Sequence, residues 1–246
     1  MHAVARTTAA ALDWVEVPGG ATPVGTDPAT LPALLARLAD LPVEASWFGK
    51  ECPRRVVPVD GFAMTRIPVT VGQLAPVAAL RGLDWRPAAP ADHPAAVRQA
   101  DAARVAAWLA AETGRDVRLP DELQWERAAR GGDGREYPWG DRWDPAAANI
   151  DAGSAGGTTP AGSRPAGASP YGLLDLAGNL DEWTSTVYAP YPGAPAGVPA
   201  VEDWALDEHV TRGGGWNHGR DAARCARRHG LYDDGPVGFR LVRVDR

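Results

Sequence analysis

His218 and His229 are the residues of this chain nearest to metal chemistry, with His209 upstream and Asp221, Asp233 and Asp234 beside them. Imidazole and carboxylate are ligands that suit iron or copper, so the two histidines, with neighbouring Trp216, are the candidate catalytic groups. Their spacing matches no established ligand signature, and loop histidines commonly face solvent or bond the backbone. Arg224, Arg227 and Arg228, with Asn217 and Trp216, form a second candidate set. Forked guanidinium hydrogen bonds and stacking would clamp an anionic or aromatic ligand, unless local aspartates take those charges as ion pairs. The third set is Gly178-Asn-Leu-Asp-Glu-Trp. There an amide oxygen, backbone carbonyls and a carboxylate fall within a few residues, and hard oxygen donors so close together suit calcium. The same residues also read as a tight turn with Asn179 left-handed and Glu182 in solvent. Cys52 and Cys225 are the only thiols, which excludes a disulfide framework, and two reduced thiols are expected.

The elements that must position these groups are unevenly signed. Trp14-Val-Glu-Val alternates and stops at Gly19-Gly20, a strand entering a turn. Leu31, Leu34, Leu35 and Leu38 recur at helical spacing between Pro28 and Pro42. Strands are expected around 55–62 and 62–65. Thr70 with Gln73 forms a capping-box pattern for a helix to about Leu80, and Asp121 with Gln124 repeats it for a helix to Arg130. Between them an apolar stripe predicts a helix over Gln99–Thr113, ended by Gly114. From 133 to 240 the chain is rich in Gly, Pro, Asn, Asp and Trp, with no sustained period. Trp139, Trp143, Trp183, Trp204 and Trp216 argue that this half is ordered, as loops held by something other than ladders or disulfides. Bound metal is the expected cross-link.

The 246 residues suffice for one domain with a real core, and the composition, 45% hydrophobic and 23% charged, is that of an ordinary globular protein. A net charge of −6 leaves no basic surface for phosphate backbones and argues against nucleic-acid binding. Lys50 is the only lysine, and composition alone gives it no role. Met1–Trp14 has no apolar run of signal-peptide length and no stretch reaches spanning length, so a cytoplasmic, monomeric protein without a membrane partner is expected.

Several ordered motifs carry a resemblance. Leu119-Pro-Asp-Glu-Leu-Gln-Trp-Glu-Arg-Ala-Ala-Arg-Gly-Gly, Tyr137-Pro-Trp-Gly, Tyr171-Gly-Leu-Leu-Asp-Leu-Ala-Gly-Asn-Leu-Asp-Glu-Trp-Thr, Arg212-Gly-Gly-Gly-Trp and Gly238-Phe-Arg-Leu-Val resemble the formylglycine-generating-enzyme (sulfatase-modifying factor) family in order and spacing. Val15, Pro18, Gly19, Gly20, Val69 and Thr70 extend it upstream. The resemblance implies an α+β, loop-rich variant of the C-type-lectin fold braced by calcium, with 1–14 as an N-terminal extension and 15–246 as a single domain. By the same resemblance Asn179, Gly178, Leu180 and Glu182 are calcium ligands, and Asn149 and Ile150 begin a second site for which Asp151 is the nearby carboxylate. The chain departs from the family where two cysteines bind copper(I), since His218 and Ala223 stand there. A lone thiolate cannot form a two-coordinate clamp, so conversion of cysteine to formylglycine by the usual route is not expected. The expected activity is that of a metal-dependent oxidoreductase, with iron or copper, on an amino acid, peptide or secondary metabolite. The alternatives are a catalytically silent lectin-like module binding a small molecule or peptide through Trp216, Asn217 and His218, and an accessory protein for a partner enzyme.

Overall fold

A computed structural model describes residues 2–150, 156–198, 207–231 and 236–244. The chain begins with α1 (His2–Ala10), and β1 (Trp14–Val17) follows. Val4 and Leu12 pack into the same apolar cluster as Leu74, Val105 and Leu109, which ties α1 to the body of the protein. β1 is antiparallel to β4 (Phe62–Thr65), and β4 pairs with β10 (Val242–Val244), which continues to β5 (Asp116–Arg118). The expected strands at 55–62 and 62–65 both form but join different sheets: β3 (Arg55–Val59) pairs with β2 (Gly20–Val24).

Both capping boxes are present. Thr70 accepts the Gln73 N–H ahead of α4 (Val71–Arg81), and Asp121 accepts the Gln124 N–H ahead of α6 (Glu122–Arg130). α5 (Gln99–Thr113) ends at Gly114 with φ 68°, the left-handed conformation that favours glycine. The leucine run does not make one long helix. It divides into a single tight turn at Pro28–Thr30 and α2 (Leu31–Arg37), and α3 (Ala45–Gly49) follows. Leu34, Leu38 and Phe48 form their own small core beneath these two helices.

The half expected to lack regular structure contains a four-stranded sheet of β6 (Asp181–Val187), β7 (Asp207–Arg212), β8 (Arg228–Leu231) and β9 (Val237–Phe239), ordered β8-β7-β6-β9 with β9 parallel to β6. Its strands are short, and two pairings shift register, which erases the period-2 signal a sequence reading relies on. α6 is buried along almost its whole length and joins the sheets. Arg127 donates to the carbonyls of Pro18 and Ala21, Arg130 to those of Pro23 and Gly25, and Trp125 Nε1 to Glu182.

Candidate functional site

The loop between β7 and β8 carries most of the candidate residues, and its shape follows from Arg212 and three glycines. Arg212 is fully buried, donates from Nη1 to the carbonyls of Cys225 and Arg227 (2.9 Å each), and pairs with Glu126 at 2.5 Å. The far end of the loop is thereby fixed to α6. At the near end, Gly214 has φ 74°, and a Cβ there would lie 2.8 Å from that of Ala222, so the close approach requires glycine. Asp181, the first residue of β6, accepts the Gly214 N–H on Oδ1 (3.1 Å), and its Oδ2 lies 3.1 Å from His218 Nδ1.

His218 Nδ1 also lies 3.0 Å from the Gly215 N–H. The two contacts belong to different charge states: a protonated ring donates Nδ1–H to Asp181, and a neutral ring accepts from Gly215. Burial opposes the charge on His218, but the Asp181 carboxylate outweighs it and holds the pKa above the ordinary imidazole value. With Nδ1 committed, Nε2 is left for a ligand. His229, its ring centroid 6.3 Å from that of His218, behaves oppositely. Burial, then Arg227 and Lys50, push its pKa well below normal and keep it neutral.

These rings open onto a cleft of about 480 Å³. One set of lining residues comes from the segment around α3, namely Leu41, Pro42, Val43, Trp47 and Lys50, and the other from the β7–β8 loop and β8. Asn217, Asp221 and Arg227 complete the polar lining. Lys50, Trp47 and Asp181 carry no signal in the sequence that assigns them to a site. Asp181 is concealed between two expected ligands: on a strand successive side chains face opposite ways, so Asp181 reaches His218 while Glu182 reaches the core. Lys50 has no local motif, and its role follows only from the packing of α3 against the C-terminal loop.

Several expected site residues are placed elsewhere. Trp216 is not among the cleft-lining residues, and its backbone N–H donates to the Asn179 carbonyl (3.0 Å). Arg224 and Arg228, expected to clamp a ligand, are each paired with a carboxylate of the chain. Arg224 forks onto Glu51 at 2.9 and 2.5 Å, and Arg228 onto Glu122 at 2.9 Å twice, both buried. Glu182, expected as a calcium ligand, has both its oxygens bonded by Arg240 (2.6 and 2.5 Å), and Trp125 Nε1 adds a third bond. A cation placed there would meet a guanidinium. Asp151, Trp204, Asp233 and Asp234 lie outside the described residues.

The Asn149–Asn179 region answers differently. The two residues adjoin through a bridge of Asn149 with Gly178, Asn179 has φ 71°, and its Oδ1 accepts from Asn149 Nδ2 (3.3 Å) and the Thr159 N–H (2.9 Å). Asn149 Oδ1 is buried without a hydrogen-bond partner among the described residues, and Asp175 stands close by, bonded to Asn179 Nδ2. Burial raises the Asp175 pKa, as it does for a carboxylate short of positive partners. An orphaned amide oxygen beside an under-compensated carboxylate fits a hard cation. The thiols, in contrast, are inert: burial lifts Cys225 to about 12 and Cys52 to about 11. Among the described residues no group of three or more His, Cys, Asp or Glu is gathered for a metal ion, and Lys50 and Arg227 flank the two imidazoles with positive charge. The described residues of the cleft thus offer two imidazoles and Asp221, without a larger ligand set for iron or copper. No helix among the described residues is long and apolar enough to cross a membrane.

Residues 2–244 match the model of the sulfatase-modifying factor enzyme 1-like domain. Relatives include the inactive C-alpha-formylglycine-generating enzyme 2 of Mus musculus, 37% identical over 58% of this chain and 46% of that protein. The hercynine oxygenase of Mycolicibacterium smegmatis is 29% identical over 82% of this chain and 54% of its own length. The chain thus spans about half the length of these two relatives. Among solved structures, PvdO from Pseudomonas aeruginosa superposes with a TM-score of 0.72 at 25% identity, covering 94% of this chain and 93% of the other.

Proposed function

We propose that this chain, which belongs to the sulfatase-modifying factor enzyme 1-like family, is an oxidoreductase that acts on a small metabolite or peptide end in the His218 cleft without using either thiol. The observation that carries the reading is the His218–Asp181 pair, an acid–base group held beside a cleft while both cysteines are buried. Hercynine oxygenase, named for an oxidation of a small molecule, supports the reaction class by relationship alone. In the cleft His218 directs its Nδ1–H at the Asp181 carboxylate and presents Nε2 to the bound molecule, and Leu41, Val43 and Trp47 limit water around it. The reading takes the fold as a variant of the C-type-lectin type, braced by calcium at Asn149 and the Ile150 carbonyl.

A metal-dependent route would rest on His218 and His229, and the second reading is a silent binding module using the same cleft. One experiment separates the two. The protein is incubated in air with a bacterial small-molecule extract, with and without added iron(II) or copper(I), and the extract is followed by mass spectrometry. An oxidoreductase removes two hydrogens from, or adds an oxygen to, at least one compound, and His218→Ala abolishes the change. Compounds retained by the protein but unchanged under every condition leave the binding module. Aldehyde formed on a Cys-x-Pro-x-Arg peptide would overturn the thiol-free reading.

A further inference from the structure

Lys50 carries the one primary amine among the side chains of this protein. An amine, unlike a guanidinium, can lose its proton near neutral pH when buried and then offers a lone pair. The fold puts this amine in the cleft. Lys50 stands at the C-terminal end of α3, 8% exposed, and lines the cleft together with Trp47 on one side and His218 and His229 on the other. The groups lie close to one another. The rings of His218 and His229 are 6.3 Å apart, and the charges of Lys50 and His218 both act on His229. The lysine backbone is held as well, since its carbonyl accepts from Arg228 Nη1 (3.4 Å), and Arg228 is fixed by its fork onto Glu122. Burial and then Arg227, opposed by Glu51 and reinforced by Arg228, bring the Lys50 pKa down to about 8. At pH 7 about a tenth of the amine is then unprotonated, against less than about 0.1% for a solvated lysine. The two thiols, the other nucleophiles to consider, are 0% exposed and held protonated by burial.

We infer that Lys50 is a nucleophile that captures a small aldehyde or ketone in the cleft as an imine, with His218 as the acid and with the apolar arm of the carbonyl compound along Leu41, Val43 and Trp47. This goes beyond the oxidoreductase reading, because it adds a covalent step without a redox change, and it uses the same cleft. The Lys50 lone pair forms a bond to the carbonyl carbon, and the carbonyl oxygen takes the Nε2 proton of the charged His218 ring. The nitrogen then returns a proton to His218, which passes it to the new hydroxyl, and water leaves as the C=N bond forms. The iminium proton goes back to His218. One amine and one carbonyl thus give one imine and one water, and no electron is exchanged. Asp181 favours the charged ring that this sequence starts from, since its carboxylate lies 3.1 Å from His218 Nδ1.

The test traps the imine. The full chain is incubated at about pH 7 with 3-phenylpropanal and cyanoborohydride, which reduces an imine to a stable secondary amine, and alkylation of the Lys50 peptide is followed by mass spectrometry. The same reaction is run on the chain unfolded in urea. Trapping at Lys50 is expected to be at least about tenfold faster in the folded chain, because unfolding returns the amine to an ordinary pKa of about 10.4. A lysine that is merely buried behaves in the opposite way and reacts faster once unfolded. The folded rate is also expected to level off with rising aldehyde concentration, as a cleft fills, while the unfolded rate stays proportional to it. His218→Gln is expected to slow folded trapping by on the order of a hundredfold and to leave the unfolded rate unchanged. Should that variant misfold, the comparison of folded and unfolded wild type still decides. Trapping no faster in the folded chain, or a folded His218→Gln variant that traps as fast as the wild type, overturns the inference. Lys50 left unalkylated while the extract experiment shows His218-dependent oxidation would overturn the role of the lysine and leave the oxidoreductase reading standing.

Discussion

His218 and His229 share a cleft but are pushed in opposite directions: the Asp181 carboxylate raises the pKa of the first ring against its burial, while burial, Arg227 and Lys50 lower that of the second. Their contributions to stability against pH therefore have opposite signs. His218 is raised, so the stability it gives is full below its unfolded value of about 6.5 and is lost as pH rises through its folded value. His229 is depressed, so its neutral form is the folded one. The stability it gives is full above about pH 6.5 and is lost as pH falls, because the unfolded chain takes up the proton first. His229→Gln is expected to lose less stability than the wild type between about pH 7.5 and about pH 5.5, measured by urea denaturation. An equal or steeper acid loss in the variant would show that the ring is not held neutral.

At the scale of elements, glycines decide how closely loops approach one another, and two of them make a controlled comparison. Gly82 ends α4 at φ 60° with open space within 4 Å of where a Cβ would sit, whereas at Gly178, φ 79°, a Cβ would lie 2.4 Å from the Asn149 carbonyl oxygen. Gly82→Ala carries only the left-handed backbone penalty, about 1–2 kcal/mol. Gly178→Ala carries that penalty and also forces the Asn149 segment away, separating the bridge that brings Asn149 to Asn179. Denaturant titration is expected to show the larger loss at Gly178, and equal losses would mean that the segment yields without cost.

Across the whole molecule the loop-rich half is cross-linked by buried arginine–glutamate pairs as well as by its sheet. Arg212 to Glu126, Arg228 to Glu122, Arg224 to Glu51 and Arg240 to Glu182 each join segments distant in sequence. Removing one partner leaves a buried charge uncompensated, which costs about 3–5 kcal/mol. This separates two kinds of brace. Glu182→Gln is expected to destabilise the protein by about that amount at every calcium concentration, because its partner is Arg240. Chelation is expected to lower the melting temperature of the wild type, since a cation binding only the native state adds roughly 2.7 kcal/mol at a hundredfold excess over Kd. Asn149→Ala is expected to abolish the response to chelator while Glu182→Gln retains it. A melt indifferent to chelator would remove calcium from the Asn149 site.

The sequence alone determined what depends on neighbours along the chain. The capping boxes at Thr70 and Asp121, the stop at Gly114 and the left-handed Asn179 are set by side chains and backbone a few residues apart, and each is legible there. The family motifs were equally legible, because they are local strings. Tertiary structure alone decided which charges meet. Arg224, Arg227 and Arg228 look alike in sequence, and only the approach of Glu51 and Glu122 from far along the chain neutralises two and leaves the third in the cleft. Lys50 and Asp181 join His218 for the same reason: the energy of a charge depends on distance in space and on burial, and neither can be read from position in the chain.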